Sequence, residues 1–242
     1  MATVHFILQG KGGVGKSFIA SGLAQWKKIM GSPALCIDTD PVNATFHGYE
    51  DLNVRRLEIM QGEEIDPRSF DALVEIIANT DRSDVIVDNG ASSFLPLATY
   101  LISNEVPALL KEMGHKLVIH SVITGGQALM DTLNGFASLA SQIEGVPFVV
   151  WLNQYWGPIE AEGKSFEEMK GYTSNKKRVA AIIEIPHRKA ETFGRDLGDM
   201  LKARQTFDQA QQDPSLTIMT RQRLKMYSRD FFAALDAVKA VL

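Results

Sequence analysis

The chain has 242 residues, 45% hydrophobic and 22% charged, and 25 Lys and Arg against 29 Asp and Glu leave a formal charge of −4. That composition excludes intrinsic disorder and collagen-like sequence, and a single cysteine excludes an internal disulfide. No apolar run approaches the roughly 18 residues that cross a bilayer, and the chain's start lacks the basic-then-apolar pattern of a secretory signal. A cytoplasmic protein folded as one domain over residues 1–242 is expected. Its slight acidity argues against wholesale coating of nucleic acid but permits a local basic patch.

In chain order, Thr3–Gln9 reads as a first strand, followed by a glycine-rich segment and an amphipathic helix over Lys16–Met30. Further strands are predicted at Ala34–Asp38, Asp84–Asp88, Lys116–Ile123, Pro147–Asn153 and Ala181–Pro186, with a helix at Gln127–Ile143. Runs such as Val85-Ile86-Val87 and Phe148-Val149-Val150 do not alternate, as expected of strands covered on both faces. The pattern specifies an α/β fold: a three-layer α/β/α arrangement around a mostly parallel sheet. Ile159–Arg178 is polar, holds the triplet Lys176-Lys177-Arg178, and is expected to be a surface excursion between two strands. Near the end of the chain, Leu224, Tyr227, Phe231, Leu235, Val238 and Leu242 form one helical stripe, bordered by Arg221, Lys225 and Arg229. Both basic groups fit a solvated rim or a DNA-binding patch.

The strongest motif follows the first strand. Gly10-Lys11-Gly12-Gly13-Val14-Gly15-Lys16-Ser17 matches G-x-x-x-x-G-K-[S/T], a loop whose backbone N–H groups turn inward around phosphate oxygens. Side chains would obstruct that approach, which is why glycine recurs. Lys16 supplies a point charge to the β- and γ-phosphates, Ser17 a hydroxyl to Mg²⁺, and the following helix its positive N-terminus. Gly10, Gly12, Gly13, Val14, Gly15, Lys16, Ser17 and Phe18 are the expected nucleotide contacts.

With Lys11 near its start, this loop resembles that of the ParA/MinD family of deviant Walker A ATPases, whose signature is K-G-G-x-G-K-[S/T]. The resemblance implies a P-loop NTPase sheet and a homodimer formed with ATP, in which Lys11 reaches the partner's nucleotide. It extends to Asp38-Thr39-Asp40-Pro41 and Asn43-Ala44-Thr45, similar to the family's D-x-D-P-Q-x-N-A-T motif. By that resemblance Asp40 orients the attacking water, with Lys11 and Lys16 as the other catalytic residues and Asp38 in the Mg²⁺ shell. Asp88, ending an apolar strand, fits the Walker B position, where a carboxylate reaches Mg²⁺ through water. The family continues there with Thr or Ser and then Pro, whereas this chain reads Asn89-Gly90.

ATP is favoured over GTP because Leu152-Asn153-Gln154-Tyr155-Trp156 lacks the Lys and Asp of an N-K-x-D guanine motif. Asn153 is either an adenine contact, as the family implies, or a turn residue. Pro186 matches the family segment that lies beside the base. Cys36 reads as a buried hydrophobe, the five histidines lack metal-ligand spacing, and a lone cysteine opposes a shared iron–sulfur site of the nitrogenase type. The Leu8-Gln9 lead-in and Asp88-Asn89-Gly90 are similar to plasmid-borne relatives of the TraL and StbB kind, which implies conjugative transfer, partition or cargo positioning with a protein partner or cargo. A nucleotide-binding scaffold with little hydrolysis and a metabolic enzyme of the same superfamily are the alternatives.

Overall fold

The computed structural model describes residues 1–242. Its strands are β1 (Thr3–Ile7), β2 (Leu35–Asp38), β3 (Arg55–Arg56), the ribbon β4 (Met60–Gln61) and β5 (Glu64–Ile65), β6 (Asp84–Asp88), β7 (Lys116–Thr124), β8 (Phe148–Asn153), the ribbon β9 (Glu160–Ala161) and β10 (Lys164–Ser165), and β11 (Val179–Glu184). The α-helices are α1 (Lys16–Ile29), α2 (Ser69–Ala78), α3 (Phe94–Ser103), α4 (Val106–Glu112), α5 (Leu129–Gln142), α6 (Lys170–Thr173), α7 (Arg195–Lys202), α8 (Phe207–Gln212) and α9 (Ile218–Asp236). Seven strands form one sheet in the order β11-β8-β7-β1-β6-β2-β3. All six pairings in it are parallel.

The central strands β1, β6, β7 and β8 are buried on both faces because each face carries its own apolar layer. On one side Val4, Phe6, Val85 and Phe148 pack with Leu73 of α2, Leu97 of α3 and Phe136 of α5. On the other, Ile7, Ile86 and Val149 pack with Leu23 of α1 and with Leu224 and Phe231 of α9. The stripe expected near the C-terminus is thus a core face, and Phe231 stacks on Trp151 with ring centroids 5.9 Å apart. The three-layer α/β/α arrangement follows.

The predicted strands are all present, with ends shifted by one or two residues. Edge strand β3 escapes sequence reading because two exposed arginines carry no apolar signal. The excursion over 159–178 does connect β8 to β11, yet it is less superficial than expected: Phe166 and Met169 are buried in the core. Arg178 is corrected as a DNA-patch residue. Its guanidinium donates to the carbonyls of Ala140, Ile143 and Val146, closing the end of α5, whereas Lys176 and Lys177 remain exposed.

Beneath α1 and α9 lies a buried polar chain. Trp151 Nε1–H, which only donates, hydrogen-bonds to His120 Nδ1 at 2.9 Å. His120 Nε2 must then donate to His5 Nδ1 at 3.0 Å, leaving His5 Nε2 to face Asp84 at 3.5 Å. Asp84 is also held by Lys27 at 2.6 Å. Burial pushes both histidines below their ordinary value, His120 strongly, with Lys27 adding to the effect on each and Asp84 opposing it at His5.

Neutral histidines in the fold and ordinary ones in the unfolded chain mean that protons favour unfolding. Their contribution is complete above about pH 6.5 and is lost as pH falls below it. Urea unfolding at pH 7.5 and 5.5 is expected to show a loss of about 2 kcal/mol from these two sites. Replacing both with Gln should remove that component of the pH dependence, whatever it does to absolute stability.

Candidate functional site: a glycine loop facing three aspartates

The site lies at the C-terminal edge of the sheet, where β1 runs between β6 and β7. Crevices beyond the carboxyl ends of parallel strands are the usual ligand sites of open α/β sheets, because the loops there diverge. Register aligns the ends: Ile7 pairs with Asp88, and Asp38 with Asp88. The segments that follow these three strands therefore meet around one space.

After β1 the chain bends into the loop Gly10–Ser17. Gly13 and Gly15 have φ of 73° and 103°, left-handed values that favour glycine. Gly10 faces the Phe94 ring so closely that a Cβ would lie 2.9 Å from it. Gly10, Gly12 and Gly13 are exposed, and no side chain caps the N-terminus of α1, which has no acid in its first turn. Its leading N–H groups are thus available to an anion.

Lys16 is buried beneath the loop, donating to the Lys11 carbonyl at 3.0 Å. Burial pulls its ammonium below the ordinary lysine value, against the attraction of Asp88 and Asp40. Opposite, Asp88 is fully buried and its Oδ1 has no hydrogen-bond partner. Burial, then repulsion from Asp38, pushes its carboxyl up to about 7, while Ser17 and Lys16 oppose that rise. A buried carboxylate oxygen without a partner is costly, and a cation is what would relieve it.

Asp38 is also buried, and burial raises its carboxyl. Its Oδ1 accepts from Asp40 N and its Oδ2 from His47 N, each at 2.8 Å, so it pins both ends of the 40–47 loop. Asp40 is half-buried, and its Oδ1 accepts from Val42 N and Asn43 N at 2.9 and 3.1 Å. No three His, Cys, Asp or Glu side chains are arranged as a metal cage. Mg²⁺ keeps waters and takes phosphate oxygens with one or two protein ligands, so it requires no such cage.

Beside the loop a cleft of about 630 Å³ is lined by Phe18, Asn153, Tyr155, Pro186, Arg188 and Leu197, among others. Asn153 Nδ2 donates to the Val14 carbonyl at 2.9 Å, and its Oδ1 accepts from Tyr155 N at 3.1 Å. It thereby clamps the glycine loop to the end of β8 and retains one N–H and one lone pair toward the cleft. Its bond from Tyr155 N is the turn reading of Asn153, and its place in the cleft lining is where the adenine contact implied by the resemblance would lie.

Lys11 is placed differently from Lys16. Its side chain is 47% exposed, and Nζ meets Asp131 Oδ2 of α5 at 2.8 Å, outside its own loop's cradle. Sequence reasoning passed over Asp131, which carries no motif, and treated Gln9 only as a lead-in. Gln9 is buried, donates to the Val122 and Thr132 carbonyls at 2.9 and 3.0 Å, and accepts from Gly10 N at 2.9 Å. A glutamine at the end of an apolar strand was the available signal. It anchors the loop's first residue to β7 and α5.

A family model described as the CobQ/CobB/MinD/ParA nucleotide binding domain matches residues 5–226. Two Escherichia coli proteins, both named Protein TraL, are 67% and 64% identical over 238 and 237 residues, 98% of each chain. Among solved structures, the MinC:MinD cell division complex of Aquifex aeolicus matches with a TM-score of 0.56 at 16% identity, covering 93% of this chain and 95% of that one. Pyrococcus horikoshii MinD, complexed with Mg-ADP, matches with 0.55 at 16% identity over 95% and 96%. These two likenesses concern the fold, while the sequence relatives bear out the resemblance to the TraL kind.

Replacing Gln9 with Leu keeps the volume but leaves Gly10 N–H and the Val122 carbonyl without their partner. Denaturant unfolding is expected to register a loss of about 2 kcal/mol. An unchanged midpoint would mean that the loop does not depend on this anchor.

Proposed function

Because the chain belongs to the CobQ/CobB/MinD/ParA nucleotide-binding family, we propose that it is an ATPase working as a nucleotide-driven dimerisation switch in plasmid transfer, partition or cargo positioning. The observation that carries nucleotide binding is the open, uncapped start of α1 beneath left-handed glycines, with Lys16 buried at its base. Gly12, Gly13, Val14, Gly15 and Phe18 surround the phosphates through backbone N–H groups, and the cleft between Asn153 and Pro186 receives the base. Ser17 and Asp88, with Asp38 in the outer shell, would hold Mg²⁺, which would supply charge neutralisation for phosphoryl transfer.

Asp40 is the group that positions the attacking water. It is the carboxylate of the three that is not fully buried, and it sits on a loop tethered at both ends by Asp38. Lys16 stabilises charge developing on the phosphoryl oxygens, which is the principal electrostatic requirement of this chemistry.

Dimerisation is supported by where Lys11 lies. An exposed ammonium at the rim, paired outside its own cradle, is free to serve a nucleotide facing it. Val42, Tyr155 and Trp156, on the segments after β2 and β8, and Leu95 and Met130, in the first turns of α3 and α5, are exposed large apolar residues. Their burial against a second copy would offset the cost of association. No helix is long and apolar enough to cross a membrane. Any DNA contact falls to Lys176, Lys177 and the edge of α9, where Lys225 is exposed and Arg229 is shared with Asp230.

Size-exclusion chromatography with nucleotide analysis tests the switch. The wild type is expected to elute as a dimer only with ATP and Mg²⁺; Lys11→Ala should bind ATP yet stay monomeric, and Asp40→Ala should remain dimeric with ATP retained. An oligomeric state that ignores ATP in all three sinks the model. Asp131→Ala, which frees Lys11 from an exposed ion pair, should strengthen ATP-dependent dimerisation by no more than about five-fold.

A further inference from the structure

Where the family carries Thr or Ser and then Pro, this chain places Asn89-Gly90, and the two residues occupy the centre of a buried hydrogen-bond network. Asn89 Oδ1 accepts from the Ser93 hydroxyl at 2.8 Å and, at 3.2 Å, shares the single Thr39 hydroxyl proton with the Asp88 carbonyl. Its Nδ2 donates to the Gly90 carbonyl at 2.9 Å. That donor fixes the amide's orientation, since a rotated side chain would set its oxygen against the carbonyl. Thr39 lies between Asp38 and Asp40, and both its N–H and its hydroxyl reach the Asp88 carbonyl, at 2.9 and 3.0 Å. Asn89, Thr39 and Ser93 are all buried.

Packing closes the same unit. A Cβ on Gly90 would lie 2.7 Å from Asp40 Cγ and 3.1 Å from Asp40 Cα, so the two segments touch backbone to side chain with no space between. Ser93 precedes Phe94, whose ring covers Gly10. The start of the glycine loop, the Asp88 strand end and the Asp40 loop are therefore joined through Phe94, Ser93, Asn89 and Thr39. None of these linking side chains is charged.

We propose that Asn89 is a positioning residue that interlocks the Asp40 loop with the Asp88 strand end, making their response to a γ-phosphate a single two-state event. The proposal rests on the ATPase reading above and deepens it. A ligand shifts a conformational equilibrium only by its differential affinity for the two states. Two loops answering separately would each gain part of that difference; joined by satisfied hydrogen bonds in a low-dielectric interior, they respond to all of it. A third phosphate arriving beside Asp40 and Asp88 then distinguishes ATP from ADP, while affinity common to both nucleotides remains with the glycine loop and Lys16.

Fluorescent ADP and a fluorescent non-hydrolysable ATP analogue, titrated with Mg²⁺, give the ratio of the two dissociation constants. The wild type is expected to prefer the triphosphate. Asn89→Ala should hold ADP within about two-fold of wild type yet lose on the order of five- to ten-fold in that ratio, the scale of one or two hydrogen bonds. Thr39→Val, which keeps the side chain's shape and removes its hydroxyl, should move the ratio in the same direction, and Thr39→Ser should restore it. If Asn89→Ala does not fold, the Thr39 pair decides. An unchanged ratio, or an equal loss of affinity for both nucleotides, overturns the interlock and leaves Asn89 a packing residue. A wild type that binds both nucleotides without preference also overturns it, but spares the nucleotide-binding reading; a wild type that binds neither overturns both.

Discussion

Everything at this site depends on keeping an ammonium and a carboxylate buried together at a glycine loop. Lys16 loses hydration beneath the loop and recovers a single carbonyl contact at 3.0 Å. Asp88 loses its hydration entirely and leaves one oxygen without a partner. Charges so placed are costly in isolation, and the desolvation of each is only partly offset by the other. A phosphate and a divalent cation are the complementary pair that would satisfy both.

The scaffold supports that arrangement by making movement difficult. β1 is flanked by strands on both sides, so the loop leaving it is framed by the ends of β6 and β7. Gln9 ties the first residue of the loop to β7 and α5, and Asn153 ties Val14 to β8. Asp38 is similarly employed in holding the 40–47 loop by two backbone N–H groups. Amides and carboxylates that sequence reading would reserve for ligand contact are largely committed to shaping the backbone. In buried sites such commitments are what make geometry reproducible, because each broken bond exposes a polar group that finds no water.

The two lysines of the signature illustrate a division of labour. Lys16 is buried and acts within its own loop, whereas Lys11 is exposed and rests on Asp131 of a neighbouring helix. An exposed ion pair holds its partner by little, so a lysine parked in this way is easily redirected. Residues buried on both sides cannot be redirected without local unfolding. The surface position of Lys11 and the internal position of Lys16 are the basis of the partner-facing and phosphate-facing roles proposed for them.

Much was legible before any fold was described. Continuous apolar runs specified strands covered on both faces, the spacing of glycines before Lys16 and Ser17 specified a phosphate cradle, and Asp88 at the end of such a run specified its place beside it. These are local signals, set by periodicity and by the steric demands of a tight loop. Arg178 reads as part of a basic triplet until three carbonyls at the end of α5 and beyond claim it. The histidines lack any motif spacing, yet register brings His5, His120, Trp151 and Asp84 into one buried chain. Asn89 and Thr39 lie 50 positions apart and acquire meaning only through parallel pairing of β2 with β6. The sequence by itself determined the central strands and the glycine loop that follows the first of them, because neighbours along the chain decide both. Tertiary structure alone decided which polar side chains remain available and which are spent on one another, because hydrogen-bond partners in a parallel sheet are distant in sequence.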